Sequence, residues 1–434
     1  MDEFKKLLTQ FVAFKSISTD PTFKPEIVKT VNWLKQLFTK YGFMVEAFTS
    51  PSCHPVVLAT LTTHNSLPTV LIYGHYDVQP ADPAGWLSDP FVLTSRDDRL
   101  WGRGVLDNKG QILIHIFTVL ELIKKRKLAY NVKFLIEGNE ETSNPDLPSI
   151  MRKHKSELKS DYVLVSDGET VNNFPVIESS LRGGFNLTLK YTTAKNNLHS
   201  GIAGGAVPNA ALELSRFLST LPKFTGLYQN VDPITPAQKA NNRQLLKISA
   251  DPLEIYGVKK LLTEPGLDVY TQTGLRPTLQ VTGLKSGYID TGYANIVPAT
   301  AEARINFRLV ASQDPQKVLA AFKKFVKSKT PSYVKSDISS AGMHHPVKLD
   351  TSKPIFKSVQ KILNRVYGRP PLLKYVGGAI PFISDVKNIF GIDAISISLG
   401  NEDCNMHGAN ENFRLDLVEK GLEVSRLFFS SDKI

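Results

Sequence analysis

A chain of 434 residues is too long for one compact core, so two to three domains are expected. Its composition, 42% apolar and 21% charged, is that of a globular protein, and no apolar run approaches the roughly 18 residues of a membrane span. The net charge of +11 comes from scattered basic residues, which argues against nucleic-acid binding and for attraction of small anionic substrates.

The chain opens with "MDEFKKLLTQFVAFKSIST". Phe4, Leu7, Leu8, Phe11 and Val12 fall at helical spacing, which predicts an amphipathic docking helix rather than a signal peptide. The runs 68–78, 130–141, 161–168 and 393–400 are short, apolar and rich in β-branched residues, and they do not alternate. They predict strands buried on both faces. Residues 109–125 are apolar nearly all round and predict a buried helix between the first two strands, ending in the basic run 124–127 that complements the helix dipole. Strands separated by helical stretches imply a mostly parallel α/β sheet.

After residue 181 the texture changes. Stretches 184–201, 275–289 and 299–310 alternate apolar and polar residues like half-exposed antiparallel strands, whereas 209–221 and 314–329 are helical. Between them, 222–266 is polar and rich in proline and lysine. The pattern predicts an α+β unit over 181–346, inserted into an α/β domain made of 1–180 and 347–434. Two cysteines, Cys53 and Cys404, make no disulfide framework and suit a reducing, cytoplasmic setting.

Three predicted parallel strands end in acids: Asp77, then Glu140 and Glu141, then Asp167. In open α/β sheets the ligand site lies beyond the carboxyl ends of the strands. His75 ends the first strand, Asp107 sits in a glycine-punctuated loop before the buried helix, and His407 follows the last strand. A two-metal hydrolytic site needs histidines, carboxylates and one carboxylate bridging ions about 3.5–4 Å apart. The chain supplies a candidate for each place. Glu140 and Glu141 point different ways, so one can bind metal while the other acts as base. Taken singly, each residue has an ordinary reading: Asp107 as a turn former, the glutamates as a solvated strand end, His407 as a loop residue. Only the set argues for chemistry. His115, on the apolar helix, reads as a core histidine, and Cys404 as packing beside the site.

In this order, "GHYDVQP", "GRGVLDNKG", "EGNEE", "SDG", "LHSG" and "MHGANE" resemble the co-catalytic metallopeptidases of family 20, the aminoacylase, carboxypeptidase G and carnosinase superfamily, and most of all its nonspecific dipeptidase and carnosinase branch. The resemblance implies that His75, Asp107 and Asp167 bind one divalent ion. It implies that Asp107, Glu141 and His407 bind a second, with Asp107 bridging and a cis peptide at Asp107–Asn108. The ligands suit zinc, with manganese or cobalt as substitutes. Asp77 would orient His75. Glu140 would take a proton from the nucleophilic water and pass it to the leaving amine. The inserted unit would be a lid and a homodimerisation domain. Its His199 would stabilise the oxyanion, in its own subunit or across the dimer. Arg308 would hold the substrate carboxylate, Asn295 would contact the tetrahedral centre, and Gly377 and Gly378 would line the substrate end.

Some residues depart from the family pattern. Asn108 replaces the usual aspartate or methionine. "YVGGAIP" stands for "REGGSIP", losing a charged pair and a hydroxyl beside the substrate. Either His344 or His345 fills the late histidine position of the lid. Asp167, rather than a glutamate, resembles the dipeptidases and aminopeptidases more than the deacylases and carboxypeptidases. The expected function is a two-metal dipeptidase acting on small peptides, without nucleic acid or membrane. The alternative on the same site is an N-acyl-amino-acid deacylase. A binding or scaffold protein that kept the fold is the rival from another class.

Overall fold

The computed structural model describes residues 1–431, so the last three residues of the 347–434 segment lie outside the described residues. A six-stranded sheet runs in the order Met44–Ser50, Cys53–Leu61, Asn131–Glu137, Thr69–His75, Tyr162–Val165, Ile395–Ser396. The last four are parallel neighbours and are the four strands expected from the apolar runs. Neighbouring residues along them face opposite cores. Val70 and Ile72 pack with the helices Asp2–Ala13, Lys24–Lys40, Lys109–Lys124, Pro354–Tyr367 and Leu415–Phe429, whereas Leu71 and Tyr73 pack with Leu147–Lys153 and Pro381–Phe390. Burial of both faces removes alternation from these strands.

The two remaining strands, Met44–Ser50 and Cys53–Leu61, form an antiparallel hairpin that extends the sheet past Asn131–Glu137. Neither is among the strands that the apolar runs predict. Met44–Ser50 is an edge strand with only Phe48 buried, so it carries little apolar signal.

A second, four-stranded antiparallel sheet runs Thr278–Ser286, Thr300–Leu309, Gly183–Thr192, Lys335–His344. Thr300–Leu309 and Gly183–Thr192 alternate buried and exposed residues as expected, and Phe185, Leu187, Leu189, Ile305 and Phe307 pack with the helices Ala210–Leu218 and Pro315–Lys329. The edge strand Lys335–His344 was not expected. Its segment KSDISSAGMH carries a single packed apolar residue, Ile338, and pairing with Gly183–Thr192 makes it a strand. The polar stretch after 222 contains the helix Pro236–Ile248, started by a capping box between Thr235 and Gln238. Leu245 of that helix packs with Val171, Val176 and Leu372 rather than on the second sheet.

The chain enters the second sheet directly after Val176–Leu181 and leaves it directly before Val347–Lys348, and these two short strands pair antiparallel. Both crossings therefore lie side by side.

Three features aim the first sheet at its carboxyl edge. His75 is the last residue of its strand, and Asp167 follows two residues after Val165. Glu140–Thr142 form one 3-10 turn beyond Asn131–Glu137. Asp107 precedes the helix Lys109–Lys124, which starts so close to its own loop that a Cβ on Gly110 would lie 1.9 Å from the Val105 carbonyl oxygen. Lys109 is fully buried and donates to the Phe11 and Phe14 carbonyls, fastening the end of the N-terminal helix to this loop. Burial brings its pKa down to about 7. Gly110→Ala is expected to destabilise the protein by about 1–3 kcal/mol through overpacking against backbone, measured as a lower urea midpoint at unchanged m-value.

Candidate metal centre and substrate cleft

Asp107 is the hub of the site. Its Oδ1 lies 3.1 Å from His75 Nε2 and its Oδ2 2.9 Å from His407 Nε2. On the first side, Asp167 Oδ2 lies 3.8 Å from the same His75 nitrogen, while Asn108 Nδ2 donates to Asp167 Oδ1 at 2.8 Å. On the second side, Glu141 Oε2 lies 3.2 Å from His407 Nε2 and accepts from Gln79 Nε2 at 2.8 Å. Two groups result, His75–Asp107–Asp167 and Asp107–Glu141–His407, each offering ligand atoms within 4.8 Å of one another. The Asp107–Asn108 peptide is cis.

Asp77 serves both sides. His75 Nδ1 lies 3.0 Å from its carbonyl oxygen and 3.4 Å from its carboxylate. The carboxylate also accepts the backbone N–H groups of Glu140 and Glu141, at 3.2 Å each.

Four carboxylates and two imidazoles converge here, and among the described residues no lysine or arginine pairs with Asp107, Glu140, Glu141 or Asp167. The pKa shifts report this imbalance. Burial raises Asp167 and pushes Glu140 well above the ordinary carboxylate range, with the Asp167 and Glu137 charges adding to the effect on Glu140. Burial opposes ionisation of Asp107 too, but hydrogen bonds from His407 and His75 outweigh it and hold its pKa low. Asp107 and Glu141 in turn raise His407 to about 10. Such a cluster is short of positive charge. A mixed nitrogen and oxygen donor set with one shared carboxylate fits a pair of divalent ions.

A cleft of about 240 Å³ opens beside the array, lined on one wall by Glu140, Glu141 and His407 and on the other by Asn186, Asn306, Arg308 and His344 of the second sheet. The Arg308 guanidinium makes no ion pair or hydrogen bond among the described residues, and burial lowers its pKa. Of the two candidate histidines, His344 lines the cleft, with its buried Nε2 lacking a partner; His345 is exposed. Gly377 and Gly378 present their carbonyls to Arg182, and the loop then runs on to Ala379 and Pro381, which line the cleft.

His199 and Asn295 stand apart from the array. Both are exposed and neither lines the cleft. Leu198–His199 pairs with Ile296–Val297, the Asn295 carbonyl accepts from Ser200 N, and His199 Nδ1 caps the next turn through Gly201 N.

Two residues inside the quoted motifs went unassigned in the sequence reading. Glu411 accepts from the backbone N–H groups of Gly104, Leu106 and Asp107. Arg103 donates to Glu411 and to the carbonyls of Pro80, His407 and Gly408. The only sequence signal was a cation in one motif and an acid in another, and nothing in the spacing joins them.

The array defines a metallohydrolase by class. The chain belongs to peptidase family M20/M25/M40, whose model matches residues 71–430. It is 26% identical to the Beta-Ala-His dipeptidase of Mus musculus, over 99% of this chain and 92% of that protein. It is 28% identical to the Cys-Gly metallodipeptidase dug1 of Schizosaccharomyces pombe, over 98% of this chain and 94% of that protein. Among solved structures, an M20 family metallo-carboxypeptidase from Sulfolobus solfataricus superposes with a TM-score of 0.89 at 30% identity, over 99% of both chains.

His115 behaves as a core residue: it is buried, bonds Ser425 and Ser166, and has its pKa lowered to about 3 by burial. Because the folded state refuses this proton, the neutral histidine contributes stability above the unfolded pKa of about 6.5, and that contribution is lost as pH falls toward 3. His115→Gln is expected to be less stable at pH 7, and the gap should narrow by about 1.4 kcal/mol per pH unit below 6.5, read from urea midpoints across pH.

Proposed function

We propose that this protein is a two-metal-dependent dipeptidase that hydrolyses the peptide bond of small dipeptides, and that zinc is its metal, with manganese or cobalt as substitutes. One observation carries the reading: two ligand groups share Asp107, and Glu140 lines the cleft beside Glu141 and His407. His75, Asp107 and Asp167 would hold one ion, and Asp107, Glu141 and His407 the other. Bound there, the ions supply Lewis acidity and lower the pKa of water toward neutrality.

The chain's own residues do the rest. A Glu140 carboxylate oxygen takes a proton from the attacking water and delivers it to the leaving amine nitrogen. Its raised pKa brings it nearer the pH at which both transfers are favourable. Asp77 holds the Glu140 and Glu141 backbone and the His75 ring in one geometry. Arg308, without an acidic partner among the described residues, binds the substrate carboxylate through its planar fork. His344 lines the same cleft, as do Ala379 and Pro381, which follow Gly377 and Gly378 in their loop.

His199 supplies the oxyanion contact and Asn295 meets the tetrahedral centre, both from a partner subunit. Their exposure supports this, as does the surface around them, where Ile202, Ile289 and Tyr293 are at least 80% exposed. Residues 181–346 form the lid and the homodimer interface, and closure of the lid on the catalytic unit, 1–180 with 347–434, excludes water. A cytoplasmic setting is supported by the two free cysteines, Cys53 and Cys404.

The deacylase alternative loses ground, because the curated relatives named above are dipeptidases. A second reading has a specific observation behind it. The Sulfolobus relative is a metallo-carboxypeptidase, and Arg308 would serve release of a C-terminal residue from longer peptides equally well.

The deciding experiment is hydrolysis of Cys-Gly, Leu-Gly, β-Ala-His, N-acetyl-amino acids and N-blocked tripeptides by chelated enzyme, before and after adding zinc or manganese. Metal-restored cleavage confined to dipeptides is the expected result. Cleavage of blocked tripeptides would move the function to carboxypeptidase, and cleavage of acetyl substrates alone would overturn the peptidase reading. Glu140→Ala should lower kcat by at least about 100-fold with both ions still bound; near-normal turnover would reject it as the base.

A further inference from the structure

The two ligand groups are held in place by different means. His75 and Asp167 sit at the ends of adjacent parallel strands whose register is set by Tyr73 facing Val165, and Asn108 fastens the free oxygen of Asp167. That geometry belongs to the sheet. His407 has no such support. It lies in a loop, its side chain is 53% exposed, and its φ of +62° is in the left-handed region that a non-glycine residue rarely adopts. Among the described residues its ring is hydrogen-bonded or ion-paired only with Asp107 and Glu141, which are themselves proposed ligands.

What holds the His407 backbone is Arg103. One guanidinium nitrogen, Nη2, donates to the His407 carbonyl at 3.2 Å, to Gly408 at 2.9 Å and to Pro80 at 3.3 Å. The other, Nη1, donates to Glu411 Oε2 at 2.9 Å. The same carboxylate fixes the Asp107 loop: Oε2 accepts from Gly104 N at 2.8 Å, and Oε1 from Leu106 N at 2.9 Å and Asp107 N at 3.0 Å. Side-chain exposure is 3% for Arg103 and 0% for Glu411, so water does not compete for these bonds. One buried pair thus sets the position of Asp107 relative to His407, that is, the span of the second ligand group. It touches neither His75 nor Asp167.

We propose that Arg103 and Glu411 are positioning residues for the second ion, and that they set its affinity more strongly than that of the first, whose His75 and Asp167 the sheet holds while Asp107 is shared. The proposal rests on the two-ion reading above. It makes the ion at Asp107, Glu141 and His407 the weaker and more exchangeable of the two, because a half-exposed loop histidine bears on it.

The test is equilibrium dialysis of the chelated full-length chain against zinc, reading ions per chain and both affinities. Wild type is expected to bind two ions with separable affinities. In Glu411→Gln the weaker affinity should fall at least about 10-fold, the loss usual for outer contacts of a ligand set, and the tighter one by clearly less, since it keeps His75 and Asp167. Arg103→Lys keeps the charge but loses the fork, so it should move the weaker affinity in the same direction. It also carries the measurement if Glu411→Gln does not fold. Arg99→Gln, which breaks the neighbouring pair with Asp403, should leave both affinities unchanged. With Mn2+, the magnetic coupling between two bound ions should disappear in Glu411→Gln at metal levels that preserve it in wild type. The proposal is overturned if both affinities fall alike, or if neither moves. Wild-type binding of fewer than two ions would instead overturn the two-ion reading on which it rests.

Discussion

Asp107 divides its two oxygens between two imidazoles, and the rest of the site answers to that division. A carboxylate asked to face two ways must have its backbone fixed, because rotation about its side chain would sacrifice one partner to the other. Here the backbone is fixed from three directions. Glu411 takes the N–H of Asp107, Asn108 ties the next residue to the Asp167 strand end, and the helix beginning at Lys109 packs into the core on almost every side. Lys109 extends the bracing to the N-terminal helix.

Crowding of Glu140, Glu141, Asp107 and Asp167 at one sheet edge is unfavourable by itself, since burial disfavours each charge and like charges repel. The site persists because the imidazoles carry compensating protons or the carboxylates hold cations. The raised pKa of His407 and the lowered one of Asp107 express that demand for positive charge. Among the described residues no lysine or arginine pairs with these carboxylates, and Arg308 lies across the cleft.

The two lobes divide the labour. The parallel sheet supplies rigid strand ends, and the second sheet supplies the opposite wall through Asn186, Asn306, Arg308 and His344. The chain crosses between them through two paired segments that lie side by side, and the helix Pro236–Ile248 packs back on Val171, Val176 and Leu372 beside them.

Much of this was legible in the sequence, for a physical reason: strands buried on both faces must be apolar throughout, and the polar residues that end them stand out. The four parallel strands, the buried helix, the order of the motifs and the family followed from local pattern. What local pattern cannot carry is any element whose stability comes from a neighbour. Lys335–His344 is a strand only because Gly183–Thr192 pairs with it, and Met44–Ser50 is an edge with little of its own to bury. The choice of His344 over His345 depends on which of the two adjacent side chains turns into the cleft at the end of the strand. The distance of His199 and Asn295 from the array depends on where the second sheet sits. The link between Arg103 and Glu411 spans 308 positions along the chain and is a fact of packing alone. The sequence by itself determined which residue types stand at the strand ends, because burial leaves no freedom there. Only the tertiary structure decided how the Asp107 and His407 loops are held at a working distance, because loops take their conformation from what they touch.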